Sequence, residues 1–125
     1  MLPTTDDASD FSSSRFDPAL ELSPHLDSLS DDVKNVKLKR AGSAVLYVRG
    51  SRSRSQLKSI PAGRIYIDER DEMSQDMINL ALERASGQNN KEIWEISTPS
   101  VENFGIDKEY RLSTAEHFFF KCPLS

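Results

Sequence analysis

Two short, largely apolar runs, each ending in a cluster of polar side chains, are the main feature of the hydrophobic pattern of this chain. Residues 65–67 form the first run, and four carboxylates follow it within five positions, beginning with Asp68 and Glu69. Residues 93–96 form the second run, which ends in the hydroxyl-rich stretch 97–100. Because side chains alternate between the faces of a strand, both runs are predicted as β-strands with polar carboxyl ends. A carboxylate at a strand end suits a hydrated cation with its phosphate ligands, so the first run has the form of a Walker B element.

A helix is predicted between these two strands. Ser74 is the expected N-cap, and Gly87 is the expected terminating residue. The apolar positions of this helix recur at helical spacing and comprise Met77, Ile78, Ala81, Leu82 and Ala85. Strand, helix and strand in this order predict a parallel βαβ arrangement, and therefore an α/β fold.

The rest of the chain carries weaker patterns. They predict, in chain order, a short helix near 18–22, a hairpin from 36–39 and 44–48, a turn of helix at 55–60, a helical turn at 107–110 and a final strand at 117–120. The first thirty residues are rich in Pro and Ser and poor in apolar side chains, so this segment is otherwise expected to be irregular and loop-rich.

Size and composition fit one modest domain in a polar, soluble chain. The chain has 125 residues, of which 37% are hydrophobic and 29% charged. Its single cysteine, Cys122, excludes an internal disulfide and fits a reducing compartment. The apolar runs are too short for a transmembrane helix, and no secretory signal pattern is present, so a cytosolic location is expected.

Charge is distributed unevenly along the chain. Residues 1–32 carry eight acids and one arginine, whereas residues 33–67 carry nine Lys or Arg and no acid. A basic block of this kind can contact the phosphates of a nucleic acid or a nucleotide, and Arg52, Arg54 and Lys58 are the candidate contacts. Two alternatives stay open: the basic side chains are simply solvated, or the acidic and basic segments neutralise each other.

A set of short motifs gives the chain a family resemblance over nearly its whole length. They recur in this order: Leu2-Pro3-Thr4, Arg15-Phe16-Asp17-Pro18, Ser23-Pro24-His25-Leu26, residues 57–62, Ile67-Asp68-Glu69, Asp71-Glu72-Met73, residues 96–99, Gly105-Ile106-Asp107 and Lys121-Cys122-Pro123. The chain resembles the central part of the ATPase domain of a tailed-phage terminase large subunit, of the lambda GpA-like type. Each motif alone is weak, but the ordered set is specific.

The resemblance implies a partial P-loop NTPase sheet of the RecA or ASCE type, from an ATP-driven motor that packages double-stranded DNA into a prohead. By position, Asp68 would hold Mg²⁺ through water, Glu69 would orient and polarise the attacking water, and Ser97 and Thr98 would match the coupling motif. ATP and Mg²⁺ are the implied cofactors. The implied partners are duplex DNA, the terminase small subunit, the portal and further copies of the same chain, in the host cytoplasm and without a membrane.

The sequence departs from the family pattern in two places. The Gly-rich phosphate-binding loop with its Lys and Ser or Thr does not occur in these 125 residues, and in the family it lies upstream of this segment. Ser125 stands where the family has the second cysteine of a Cys-Pro-x-Cys motif. We therefore expect an incomplete ATPase domain, from an excised piece or a truncated prophage gene, with poor ATP hydrolysis alone. Its regions would be an acidic segment 1–32, a basic hairpin and loop 33–67, and the Walker B strand, helix and coupling strand in 64–125. Whether the chain is an enzyme stays open.

Other interpretations of the same residues remain. A non-catalytic remnant would bind DNA or a motor subunit through its basic segment. A small metal-dependent nuclease using Asp68, Glu69 and Asp71 is less favoured, because no further carboxylate or histidine cluster completes a two-metal site. The pair Asp68 and Glu69 could also be a polar strand end, and the 97–98 hydroxyls a strand-terminating turn. Glu72 is expected to favour the start of the following helix, and the role of Asp71 stays undecided.

Overall fold

The computed structural model describes residues 1–30, 35–58 and 60–120. Its helices and strands alternate along the chain as a mixed α/β fold with small sheets. In chain order they are α1 Thr5–Asp10, a π-helix Phe11–Phe16, α2 Asp17–Glu21, α3 Pro24–Leu29, β1 Leu38–Ala41, β2 Ala44–Tyr47, α4 Arg54–Leu57, β3 Arg64–Asp68, a 3₁₀ turn Arg70–Glu72, α5 Gln75–Leu82, a 3₁₀ turn Glu83–Ala85, β4 Glu92–Ile96 and α6 Gly105–Leu112. None of the helices in the described residues is long and apolar enough to cross a membrane.

The strands β3 and β4 pair in parallel, as the sequence predicts. Arg64 lies opposite Glu92, and Asp68 lies opposite Ile96. The first two residues of the chain extend this arrangement. The Asp68 N–H donates to the Met1 carbonyl at 3.0 Å, and Leu2 pairs in parallel with Gly50. Four parallel segments therefore lie side by side: residues 49–51, residues 1–2, β3 and β4.

The core lies between one face of β3 and the helix α5. Ile67 is completely buried and Ile78 is 1% exposed, and they are the largest apolar side chains that are fully buried among the described residues. Ile65, Met73 and Ala85 complete the same cluster. The predicted helix is confirmed, with a 3₁₀ turn through Ala85 at its end. Ser74 is the N-cap residue, but its side chain forms no capping hydrogen bond.

The predicted hairpin is also confirmed, although its first strand covers Leu38–Ala41 rather than the expected 36–39. The strands β1 and β2 are antiparallel, with Ala41 opposite Ala44 across the two-residue turn. The chain then passes close to α1, where a Cβ added at Gly50 would lie only 2.4 Å from the Thr4 backbone. Glycine at this position lets the two backbones approach each other.

The prediction that the first thirty residues are loop-rich is wrong. Four helical elements occupy most of this segment. Thr4 begins the first with a capping box, in which its Oγ1 accepts from the Asp7 N–H at 3.0 Å and the Asp7 carboxylate accepts from the Thr4 N–H at 2.9 Å. Pro24 lies in the first turn of α3, where a missing N–H costs no helical hydrogen bond. Pro18 comes shortly after the π-helix, and the backbone of the residues directly before it stays helical. Neither proline therefore prevents helix formation here.

The C-terminal predictions need two corrections. The helical turn expected at 107–110 is part of the longer helix α6. Residues 117–120 form no strand, and Phe118, Phe119 and Phe120 are each more than 80% exposed. An apolar β-prone run becomes a strand only when a partner strand satisfies its backbone groups, and no described strand pairs with it. Cys122 and Ser125, and the boundary expected between residues 32 and 33, lie outside the described residues.

Candidate functional site

The carboxyl ends of the four parallel segments meet at one side of the molecule, here called the carboxyl edge. Its residues are Pro3, Arg52, Asp68 with Glu69, and Ser97, each at or just beyond the end of its segment. Ligands of open α/β sheets characteristically bind at this edge. The fold thus brings the two predicted acidic residues and the predicted hydroxyl residue Ser97 to the same side of the sheet.

Asp68 ends β3 with its carboxylate partly exposed. The Met1 amino group lies nearby and donates to the Tyr66 carbonyl. Burial lowers the pKa of this amino group, and the attraction of the Asp68 carboxylate opposes that shift. The Asp68 Oδ1 atom accepts from the Glu69 N–H at 3.2 Å, so the carboxylate lies against the turn that carries Glu69.

Glu69 is exposed and has a left-handed backbone conformation, with φ of 55°. This conformation is uncommon for a residue with a Cβ, and such strain is concentrated at functional positions. It turns the chain sharply out of β3 into the 3₁₀ turn. The Glu69 carboxylate forms no hydrogen bond or ion pair with the described residues.

Asp71, whose role the sequence left undecided, joins two loops. Its carboxylate accepts hydrogen bonds from the Ser100 N–H at 3.0 Å, the Ser100 hydroxyl at 2.8 Å and the Ile106 N–H at 2.7 Å. Partial burial opposes ionisation, but these hydrogen bonds and the charge of Arg70 together lower the pKa of Asp71 below its ordinary value of 3.8. Asp71 is therefore held as a carboxylate that fixes the loop after β4.

Ser97 completes this connection. Its Oγ accepts from the Asp71 N–H at 3.0 Å and lies 3.3 Å from the Thr98 carbonyl, to which it donates. We call the set Asp71, Ser97, Ser100 and Ile106 the Asp71 clip. Thr98 is exposed, and its side chain forms no hydrogen bond with the described residues. Of the two predicted hydroxyl residues, Ser97 alone contacts the loop that follows Glu69.

Gly105 allows the clip to close. It has φ of +55°, and a Cβ added there would lie 2.1 Å from the Asp71 Oδ1 atom. A side chain at this position would therefore collide with the carboxylate and also strain the backbone. The Gly105-Ile106-Asp107 motif in the sequence marks the start of α6 and the place where Asp71 is held.

Arg70 is a further structural residue that the sequence analysis missed. It is 4% exposed, and its Nε donates to the Glu95 carboxylate at 2.6 Å. Its Nη2 donates to Gln75 at 3.1 Å and to Glu109 at 3.4 Å, so one guanidinium joins β4, α5 and α6. The sequence did contain a signal for Arg70. The alternation of side chains along β4 places Glu95 on the core side of the strand, and a carboxylate there requires a cation as its partner.

The described residues fit a magnesium ion held with the help of a substrate, rather than a metal cage of protein ligands. They contain no group of three or more His, Cys, Asp or Glu that could hold a metal ion. Mg²⁺ bound with nucleotides usually uses one or two carboxylates, phosphates and water, which the partly exposed Asp68 suits. The Asp71 carboxylate is already occupied by three hydrogen bonds, which argues against a nuclease site built on it.

Three predicted phosphate contacts lie on the surface. Arg52 follows the segment 49–51, Arg54 begins α4, and Lys58 follows that helix. All three are exposed, and their side chains form no ion pair with the part of the chain that the structure describes. They leave positive charge on the surface available to a polyanion.

The mixed α/β fold with small sheets is compatible with an ATPase domain. Comparison with protein families matches residues 1–124 to the ATPase domain of the phage terminase large subunit gpA. The chain belongs to this family, and membership supports a terminase-related DNA-packaging function. Comparisons with curated proteins and with solved structures each found no match.

Proposed function

We propose that this chain is the central part of a terminase ATPase domain, in a motor of the lambda GpA-like type that drives double-stranded DNA into a prohead. The family match supports this proposal. The observation that carries it is the position of Asp68, Glu69 and Ser97 together at the carboxyl edge. The sheet is then part of a P-loop NTPase sheet of the RecA or ASCE type, with β3 as the Walker B strand.

In this proposal Asp68 holds the Mg²⁺ of the nucleotide through water, and Glu69 orients and polarises the attacking water. Bound Mg²⁺ neutralises the charge of the phosphates. Phosphoryl transfer needs positioning and charge neutralisation more than covalent participation, so an exposed carboxylate on a fixed turn suits the role of Glu69. Glu69 combines an exposed side chain with a left-handed backbone conformation.

Ser97 and Thr98 form the coupling motif in the same proposal. The Asp71 N–H is hydrogen-bonded to Ser97, and Asp71 lies two residues after Glu69. A movement of the Glu69 turn during the nucleotide cycle would therefore pull directly on the loop after β4. The Asp71 carboxylate would pass this movement on to α6 through Ile106.

The proposed partners are duplex DNA, the terminase small subunit and the portal of the prohead. We propose a ring of several copies of the complete subunit, acting in the host cytoplasm. Arg52, Arg54 and Lys58 are the proposed contacts with DNA or nucleotide phosphates, because they are exposed cations without an ion-pair partner among the described residues.

ATP turnover tests this proposal, in a protein that joins this chain to a phosphate-binding loop from the same family. Duplex DNA is expected to stimulate turnover. Asp68→Asn is expected to raise the Mg²⁺ concentration that half-saturates activity by about 10-fold to 100-fold. Asp76→Asn, an exposed carboxylate on α5, is the control and should leave the Mg²⁺ dependence unchanged. An unchanged Mg²⁺ dependence in Asp68→Asn would contradict the assignment.

A second candidate function is DNA binding without catalysis, as expected of a remnant of a truncated prophage gene. The observation that favours it is the absence of carboxylate partners for Arg52, Arg54 and Lys58 among the described residues. Binding of a duplex by the 125-residue chain should weaken steeply with salt and be lost in the triple alanine variant. Salt-sensitive binding together with no turnover in the joined protein would favour this candidate over the motor.

A further inference from the structure

A cavity of about 770 Å³ lies between the β1–β2 hairpin and the beginning of β3. Residues 60–66 and part of α5 close its other side, and Asp68 and Glu69 are not among its lining residues. The cavity is therefore separate from the candidate ATPase site at the carboxyl edge.

The charged side chains that line this cavity are all cationic. They are Lys39, Arg40, Arg49, Arg64 and Arg84. Three of them have carboxylate partners: Lys39 pairs with Asp17 at 2.6 Å, Arg64 with Glu92 at 3.1 Å and Arg84 with Glu83 at 3.5 Å. Among the described residues, Arg40 and Arg49 have none. A uniformly cationic lining selects for an anionic ligand.

Arg49 has unused hydrogen-bonding capacity. Its guanidinium carbon lies 5.5 Å from the centre of the Tyr47 ring, and its buried Nε–H has no acceptor among the described residues. A buried donor without a partner is costly, and a phosphate oxygen is a strong acceptor for a guanidinium. The stacked ring holds Arg49 at the cavity wall, where it can meet such a ligand.

An aromatic surface continues from the cavity. Tyr66 lines it and lies nearly parallel to the Trp94 ring, at 16° with centroids 6.4 Å apart. Both rings remain about half exposed, on the face of β3 and β4 that turns away from the core. Exposed aromatic rings next to cations suit unpaired bases joined by phosphates.

We propose that this cavity and the Tyr66–Trp94 surface bind a single strand of nucleic acid, with phosphates at Arg40 and Arg49 and a base against the rings. A duplex does not present the faces of its bases, so stacking of this kind selects for the single strand. The site goes beyond the proposed motor, which acts on duplex DNA at a different edge of the sheet.

Binding of an oligothymidylate to the 125-residue chain tests the proposal. A length of about 12 nucleotides is chosen because it lies within the site sizes of other single-strand binding proteins. Trp94 is the sole tryptophan, so quenching of its fluorescence reports on the surface itself. Anisotropy of a labelled oligonucleotide gives the affinity independently. We expect quenching, and about tenfold weaker binding when NaCl rises from about 50 to about 200 mM.

The variants locate the site. Arg40→Glu, on the exposed hairpin, should weaken binding about tenfold or more, and Tyr66→Leu should weaken it similarly. Arg49→Ala is a further variant, checked for folding by circular dichroism. Lys108→Glu is the control. It changes the net charge by the same amount as Arg40→Glu, but at an exposed position on α6, and it should leave the affinity unchanged. Absence of binding, equal quenching of Trp94 by a duplex, or a loss caused by Arg52→Glu but not by Arg40→Glu would each overturn the proposal.

Discussion

At the scale of single residues, Asp71 matters as much to this site as the two carboxylates before it. Asp68 and Glu69 provide the proposed chemistry, whereas Asp71 holds the loops that position them. Sequence could suggest roles for Asp68, Glu69 and Glu72 but not for Asp71, because the partners of Asp71 lie about 30 residues further along the chain.

Asp71→Asn is predicted to lower the free energy of unfolding by about 1–3 kcal/mol, because charge-assisted hydrogen bonds are lost and the amide N–H₂ would face the backbone N–H of either Ser100 or Ile106. Urea denaturation measures this change. Asp76→Asn, at an exposed position, should have little effect. Equal stability of the wild type and Asp71→Asn would show that the clip contributes nothing to folding.

The same carboxylate predicts a pH dependence. The folded pKa of Asp71 is lowered from 3.8. The pKa of Asp107 is also lowered, mainly because its carboxylate accepts a hydrogen bond from the Asn103 N–H and additionally because it pairs with Arg111. Their stabilisation is complete above the unfolded pKa and is lost as pH falls through it towards the lower folded pKa. Thermal unfolding between neutral pH and about pH 3 should show this loss, and Asp71→Asn should have a flatter profile. Parallel profiles would contradict the assignment.

At the scale of elements, α6 depends on two contacts with the turn after β3. Gly105 admits the Asp71 carboxylate at the beginning of the helix, and Glu109 binds Arg70 one turn later. The sequence predicted only a helical turn here, because the segment is short and its attachment to the turn after β3 is polar.

Gly105→Ala is predicted to destabilise the protein by about 1–3 kcal/mol or more, through the positive φ and the collision with Asp71. Gly87→Ala is the matched control, since a Cβ there meets nothing within 4 Å. Chemical denaturation of both variants tests the prediction. A Gly105→Ala variant as stable as Gly87→Ala would refute the close contact.

Arg70→Ala is predicted to cost about 3–5 kcal/mol, because Glu95 would remain partly buried without its cation. Arg111→Ala breaks exposed ion pairs with Glu102 and Asp107, and should cost at most about 1 kcal/mol. Hydrogen exchange of α5 and α6 amides should increase in the first variant only. Similar losses in both variants would show that Arg70 does not join these elements.

At the scale of the whole molecule, the sequence predicted the elements with strong periodicity and missed those held by long-range contacts. The strands β3 and β4, the helix α5 and the hairpin follow directly from apolar spacing. The pairing of Met1 and Leu2 beside β3 could not be predicted, because a segment of two residues is too short to show a hydrophobic periodicity. The N-terminal helices were missed because Pro and Ser were interpreted as breakers rather than as helix starts and caps.

The distribution of charge also has a structural outcome. The acidic N-terminal segment and the basic hairpin are joined by the pair Asp17–Lys39 at 2.6 Å, in which Lys39 is almost fully buried. The predicted neutralisation between segments is therefore real at this pair. Arg40, Arg49, Arg52 and Arg54 have no such partner among the described residues, so positive charge remains for ligands.

The assignment of Glu69 as the residue that polarises water is the central claim, and one comparison tests it most directly. In the protein that joins this chain to a phosphate-binding loop, kcat is measured for Glu69→Gln and for Glu72→Gln, an exposed carboxylate three positions away. Glu69→Gln should lower kcat by about 100-fold or more, while Glu72→Gln should leave it unchanged. Full turnover in Glu69→Gln, or an equal loss in both variants, would contradict the account.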